Sequence, residues 1–466
     1  MTEVVKVAPP AEGVVLRVSG LKRGVSEYYY PENCNYTDFA TGWEAAIDLA
    51  MNRDEMKAKD ICRVVVDLYG DWTATKGEFC NSGDGFNWDA IYFPANVCVT
   101  LDMNGYTINR GLESYQYNGE VMYVDENADV IINNGTIKGG FSCNGAGGIH
   151  INDGANVTLN NVNVIENKVE DDDGAGIAIY DGATLTMNGG SISDNQMKKY
   201  AAISSQLGGG IYAHDSTVSL IDVTIENNQS TSIKDYGTAI CSDDSIVTLE
   251  RCKVIGNGNN ISGDTTKGPV AVIYAINGGT LTITDTEFTG NGQHGYMELG
   301  TKNSPKKTPI SLIRMGGTAL VMDGCNFYEN NAMYLVDINR TDVTITNTDF
   351  TDGIAHAIYG VAKSGANNVI KNCKFTRGVN TPEFRYTLNF TTASNLTFTD
   401  CNLGNATINN RDFLNVTTRA RLASASMFGT GSVAVIISFV ALIGSAAAIG
   451  SNIATNKKRN KSDDNE

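Results

Sequence analysis

Two stretches of the 466-residue chain bring together side chains that could do chemistry. The first, "ENKVEDDDGAG", sets Glu166, Glu170, Asp171, Asp172 and Asp173 in one short gap. Hard cations favour clustered carboxylates, so Glu170, Asp171, Asp172 and Asp173 are candidate ligands for Ca²⁺. No EF-hand spacing is present, and a solvated acidic loop is the competing reading. The second stretch follows "FTGN" and holds His294, Tyr296, Glu298, Lys306 and Lys307. Such a mixed set is suited to contacting a polar ligand, a glycan among others. His150, His214 and His356 stand alone in the sequence and read as structural or surface residues, as His294 also can. Asp243-Asp244 is a carboxylate pair, but Asp243 falls in a turn column described below. No complete catalytic set is visible.

Composition narrows the partners. The net charge is −17, which repels phosphate backbones and argues against nucleic acid. Lys198-Lys199 and Lys306-Lys307 read most simply as solvated loop charges. Ten cysteines in a chain this long are no disulfide framework, and no Cys/His spacing suits zinc.

The elements that would position these groups repeat. "GAGGIHINDGANVTLNNVNVIEN", "GAGIAIYDGATLTMNGGSISDN" and "GGGIYAHDSTVSLIDVTIENN" are near copies. Aligned on the last apolar residue, eleven copies end at Ile108, Ile137, Val164, Ile192, Ile225, Val254, Phe288, Phe327, Phe350, Phe375 and Leu403. The spacing is closest from 327 to 350, 23 residues, and widest from 288 to 327, 39 residues. The column seven earlier is apolar in all copies but one, running from Leu101 and Val130 to Leu396, with Asn368 as the exception. The column five earlier is Met103, Ile132, Leu159 and their equivalents. The column two earlier holds Val162, Val223, Cys252, Cys325, Cys373 and Cys401, with Gly, Thr or Tyr elsewhere.

Period two on both sides of a two-residue break reads as two short strands joined by a corner. Asn133-Asn134, Asn160-Asn161 and Asn188-Gly189 suit that corner, because Asn and Gly tolerate a left-handed backbone. A further strand precedes each pair, as in "GIAIY", often closed by Asp or Asn: Asp153, Asp181, Asp215, Asp243, Asn277. Three short strands per copy, two corners and one variable gap describe a coil of a parallel β-helix. Such copies bury their inner face only by stacking. Eleven rungs give a rod of roughly 50 Å. Three residues after the anchor comes an Asn column, Asn167, Asn195, Asn228, Asn257, Asn291 and Asn330, able to hydrogen-bond rung to rung. Cys373 and Cys401 would lie on adjacent rungs; free thiols packed as small apolar groups are favoured over a bond there.

A rod needs closed ends. "TGWEAAIDLAM" places Trp43, Ala46, Ile47, Ala50 and Met51 on one helix face, with Thr41 and Glu44 as a capping box. Residues 427–454 carry no charge and are long enough to span a bilayer, and "NKKRNK" follows. The positive charge places that tail in the cytoplasm and the rod outside the cell membrane. The first residues, "MTEVVKVAPPAEGVV", lack the apolar run of a signal peptide.

The order of helix, "RVVVDLYGDW", "IYFPANVCVTLDMNGYTI" and rungs resembles the entry into pectate-lyase-like right-handed β-helices. The rungs resemble the polymorphic membrane protein repeat, with "GAGGI", "GAGI" and "GGGI" as its first box and "FTGN" and "FYEN" as its second. The resemblance covers about 90–407. The resemblance implies a right-handed parallel β-helix. With the repeats, the helix face and the uncharged stretch read above, the expected fold is all-β: a single-stranded right-handed parallel β-helix of about eleven rungs, with an N-terminal capping helix and one C-terminal transmembrane helix, where the family's secreted members end in an outer-membrane barrel. The expected division is a cap region at 1–90 (helix about 41–56, first strand about 62–69), the β-helix at 91–407, a stalk at 408–426, the span at 427–454 and a basic tail at 455–466. Enzymes of this fold cut acidic polysaccharides with paired carboxylates, G-H-G and R-I-K, or with Ca²⁺ beside an Arg. Here "GQHG" is present, but G-H-G and R-I-K are not. The reading is therefore an anchored, non-catalytic adhesin-like or structural display protein, with a glycan or a host-surface molecule as candidate ligand. The alternative is a membrane-tethered polysaccharide lyase or glycoside hydrolase with a diverged site.

Overall fold

The computed structural model describes residues 12–74, 91–198, 206–230, 236–259, 271–292, 311–350, 356–363, 368–376, 388–390, 396–409 and 414–417. One copy shows how the coil is made. Ile149–Ile151 lies in the first sheet, here sheet B. Asn156–Ile165 lies in sheet A, bent in its middle. Lys168–Glu170 lies in sheet C. Each strand pairs in parallel with its equivalents in the copies before and after, not with its neighbours in the same copy. The chain is a parallel β-helix.

The expected anchor column is found intact. Ile137 pairs with Val164, Val164 with Ile192, Ile192 with Ile225 and Ile225 with Val254. All are 0 % exposed. Burying an aliphatic side chain this completely is worth about 1.5–3 kcal/mol, and the gain recurs at every rung. Further along, the column turns aromatic. Ring centroids lie 4.7 Å apart for Phe288 and Phe327, 5.0 Å for Phe327 and Phe350, and 5.0 Å for Phe350 and Phe375, all stacked.

The bend within sheet A follows from backbone chemistry. Its residue is left-handed in copy after copy: Asn134 (φ 54°), Asn161 (φ 52°), Gly189 (φ 68°), Asp222 (φ 57°) and Asn347 (φ 51°). Asn, Asp and Gly accept that conformation at little cost. At Gly190 (φ 86°) the requirement is stricter, since a Cβ would sit 2.0 Å from the Val162 carbonyl oxygen. A second left-handed column, Glu166 (φ 56°), Asp194 (φ 56°) and Asn227 (φ 52°), turns the chain into sheet C. Immediately after it stands the Asn column, 0–2 % exposed from Asn167 to Asn330. The cysteines at 252, 325, 373 and 401 are buried and unbonded. Their thiols donate to carbonyls of the preceding copy, Cys252 to Leu220 and Cys401 to Ile370 among them.

Several expectations need correction. In the first copy Val99, not Leu101, pairs with Val130, and Leu101 pairs with Ile132. Two extra residues there form a turn, closed by the Tyr106 N–H on the Met103 carbonyl at 2.8 Å. The helix is divided into α1 (Phe39–Met51) and α2 (Arg53–Ala58). Asn52 ends the first and caps the second, its Oδ1 accepting the Glu55 N–H at 3.1 Å. Asp38 rather than Thr41 is the N-cap, accepting the Thr41 N–H at 2.8 Å. The buried face of α1 is Phe39, Gly42, Trp43, Ala46, Leu49 and Ala50, and Met51 is 58 % exposed. A strand at Leu16–Lys22, unmarked in the sequence reading, runs antiparallel to Ile61–Leu68. The latter pairs in parallel with the next rung, so the coil begins before residue 91. It also continues past 407, where Leu414–Thr417 pairs with Leu396–Thr399. Among the described residues no helix is long and apolar enough to cross a membrane. The expected span at 427–454 lies outside the described residues.

Candidate functional site

Side chains alternate across a strand, so each sheet-B strand that buries its Ile residues must present the residue between them outward. Ile149 and Ile151 are 0 % exposed, and His150 between them faces out, partly buried. The register stacks His150 on Tyr123 and Tyr123 on Tyr92. Ring centroids lie 5.8 Å apart for Tyr92 and Tyr123, 4.6 Å for Tyr123 and His150, and 5.0 Å for His150 and Tyr180. Position by position the column continues from His150 with Ala178, Tyr212, Cys241, Tyr274, Arg314, Asp337 and Tyr359, and Tyr180 lies just after its strand. Tyr236 stacks on Tyr274 at 4.7 Å and Tyr334 on Tyr359 at 4.2 Å. The outer side of sheet B therefore carries rings in groups, interrupted by Ala178, Cys241, Arg314 and Asp337, and Ala178, Tyr212 and Cys241 are buried beneath the adjoining loops.

Polar groups are set among the rings. The Tyr92 hydroxyl donates to Asp125 at 2.5 Å, and the Asn152 amide donates to the Tyr123 hydroxyl at 3.2 Å. Burial between two tyrosines lowers the His150 pKa to about 4, against a smaller upward pull from Asp125. The ring is neutral at pH 7, and its buried Nδ1 has no hydrogen-bond partner. Burial also raises the Tyr180, Tyr212 and Tyr274 hydroxyls, so all three stay protonated. Further along, Arg314 Nε lies 3.6 Å from Asp337 Oδ2, which also accepts the Ser311 hydroxyl at 3.1 Å. Burial raises the Asp337 carboxyl despite the arginine. His214 lies on this face too, 3.7 Å from Asp181 and 3.5 Å from Asp243. Asp244 is the left-handed residue of that turn (φ 48°). His356 is buried and stacks on Tyr334 at 5.1 Å.

Two of the four candidate calcium ligands, Asp172 and Asp173, accept backbone N–H groups of neighbouring copies. Asp172 Oδ2 accepts the Gly145 N–H of the preceding copy at 2.7 Å. Asp173 Oδ1 accepts the Leu207 N–H of the following copy at 2.6 Å. Asp171 adopts a left-handed turn, and Glu170 ends its sheet-C strand. Among the described residues no three His, Cys, Asp or Glu side chains gather to hold a metal ion. The acidic run is thus a clamp between loops of successive copies. These loops cross the margin of the sheet-B rings, where Ala146 and Leu207 pack with Ala178, Tyr212 and Cys241.

The other candidate set, His294, Tyr296, Glu298, Lys306 and Lys307, lies outside the described residues. Its flanks are fixed. Gly292 bridges to Asn331, and Ser311 opens the next sheet-B strand.

Residues 97–306 match the family model for a right handed beta helix region. With the parallel sheets, that match establishes a right-handed parallel β-helix. No curated protein and no solved structure matches the chain. The outer column of sheet B was not read from the sequence. "GIYAH" carries Tyr212 of the column, whereas "GIAIY" places Ala178 there, and the gap of varying length between sheets C and B hides the common column. Aligning copies on the sheet-B strand would have exposed it.

Proposed function

We propose that this chain is a membrane-anchored surface rod that binds glycans without cleaving them, an adhesin-like display protein. The observation that carries the reading is the groups of partly exposed rings on the outer side of sheet B, Tyr92, Tyr123 and His150 at one end and Tyr274 and Tyr359 further along. Because the rings stack on one another, they turn edges and hydroxyls outward, which suit sugar C–H and hydroxyl groups, and half-buried rings lose little freedom on binding. Loops on a rigid scaffold are where binding usually resides. The histidine among these rings is neutral and flanked by them, an arrangement that suits contact better than proton transfer. The uncharged stretch 427–454 and "NKKRNK" support anchoring with the rod outside and the tail in the cytoplasm. The likeness to pectate-lyase-like and polymorphic membrane protein repeats is compatible with this role.

A second reading is a tethered polysaccharide lyase or hydrolase. Arg314 beside Asp337, whose carboxyl burial raises, favours it. One experiment separates the two. The full-length chain is screened on a glycan array, and the bound glycans are assayed for new reducing ends. Binding that weakens about tenfold or more in Tyr123→Ala or Tyr274→Ala, with no new ends, supports the binding protein. Turnover that disappears in Arg314→Ala would establish the enzyme. No binding to any glycan would remove both.

A further inference from the structure

A groove of about 450 Å³ lies away from sheet B, at the corner where sheet A passes into sheet C. Two columns line it across three successive copies. Glu166, Asp194 and Asn227 belong to the left-handed corner column. Lys168, Gln196 and Gln229 are the outward residues of the sheet-C strands, paired in register. Their inward neighbours Val169 and Met197 are fully buried, so the sheet-C side of the groove is firmly held. Leu112 and Glu113 close one end.

The groove carries more acid than base. Glu166 bonds Lys138 at 3.0 Å, yet Asp194 still feels it: burial first, and repulsion by Glu166 second, raise the Asp194 carboxyl. The Lys168 ammonium lies 5.9 Å over the Phe141 ring. Three carboxylates, Glu113, Glu166 and Asp194, thus line the groove against one ammonium, Lys168; the Asn227 side chain bonds Asp194, and the amides of Gln196 and Gln229 beside them can both donate and accept.

We propose that this groove is a second binding site, for a short oligosaccharide bearing free amino groups. Its amides match sugar hydroxyls, which also donate and accept. Its carboxylates match ammonium groups with charge-assisted hydrogen bonds. A uronic acid polymer meets like charge here and is rejected. The repeat supports a run of sugars rather than one. Successive rungs present the same columns about 4.8 Å apart, so similar groups recur along the groove. The proposal concerns a different face and chemistry from the sheet-B rings and stands without them.

The test is calorimetric titration of the full-length chain with three tetramers: β-1,4-linked glucosamine, its N-acetylated form and galacturonic acid. The glucosamine tetramer should bind at least about tenfold tighter than the acetylated one, and the uronate should not bind. Asp194→Asn and Glu166→Gln should each weaken glucosamine binding about tenfold with unchanged melting temperature, since Asn is at ease in the left-handed corner. Tyr274→Ala should leave it intact. Equal binding of all three tetramers, no binding of the glucosamine tetramer, indifference to Asp194→Asn, or loss in Tyr274→Ala would each overturn the proposal.

Discussion

Asn228 Oδ1 accepts two hydrogen bonds from Asn195 of the preceding copy, one from its backbone N–H at 3.2 Å and one from its side-chain amide at 3.0 Å. Asn228 in turn donates to Asn257 Oδ1 at 2.9 Å and to the Ile192 carbonyl at 2.8 Å. The pattern runs from Asn167 to Asn330. Buried polar groups left without partners cost about 1–3 kcal/mol each. Asn228→Ala strips partners from Asn195 and Ile192 together, so a loss of about 2–4 kcal/mol is expected. Chemical denaturation should show it. Asn156→Ala, on the exposed face, should change stability by less than about 0.5 kcal/mol.

Phe327 sits between Phe288 and Phe350 and is 0 % exposed. Its replacement by Ala removes two stacked contacts and leaves a cavity between rungs. The expected cost is about 3–5 kcal/mol, read as a lowered unfolding midpoint. An unchanged midpoint would mean that the aromatic ladder adds nothing to the core.

His150 makes stability depend on pH. Its pKa falls from 6.5 to about 4 on folding, so the folded state binds the proton less well than the unfolded one. The contribution is fully present above pH 6.5 and is lost as pH falls towards 4, by about 3 kcal/mol in all. His150→Phe keeps a ring between Tyr123 and Tyr180 and removes the proton. Its denaturation midpoint should therefore fall less than that of the parent between pH 7 and pH 4. Parallel loss in both proteins would refute the assignment.

Residues 294–307 can be exchanged for a Gly/Ser linker to test the loop that holds His294, Tyr296, Glu298, Lys306 and Lys307. No column of the core is touched, and melting should stay nearly constant. Glycan or cell adhesion should fall, because Ser311, which follows the loop in the chain, opens a sheet-B strand. Adhesion at the parent level would show that the loop is dispensable.

Anchoring is checked by fractionation. The full chain should stay with membranes after carbonate extraction, and deletion of 427–466 should release it. Protease outside intact cells should reach the rod and spare "NKKRNK". The opposite accessibility would put the rod in the cytoplasm.

What could be seen in the sequence follows from what repeats rigidly. The anchor column and the Asn ladder keep a fixed offset of three residues, and both were visible. Sheet C was not, because strands such as Phe141–Ser142 are too short to show alternation. The ring groups between Tyr92 and Tyr359 were hidden by gaps whose length changes from copy to copy. Asp172 and Asp173 looked like metal ligands because composition does not reveal that backbone N–H groups of neighbouring loops occupy them. The division of the helix at Asn52 turns on one side chain capping its own successor.

The Asn ladder has a direction. Every internal member receives from the copy before it and gives to the copy after it, so all internal copies offer the same two surfaces to their neighbours. A whole copy that is duplicated or deleted leaves no partner wanting on either side. The reach of the rod can thus be inherited as a number of copies. It can lengthen or shorten in steps of about 4.8 Å while each new coil meets a ready template.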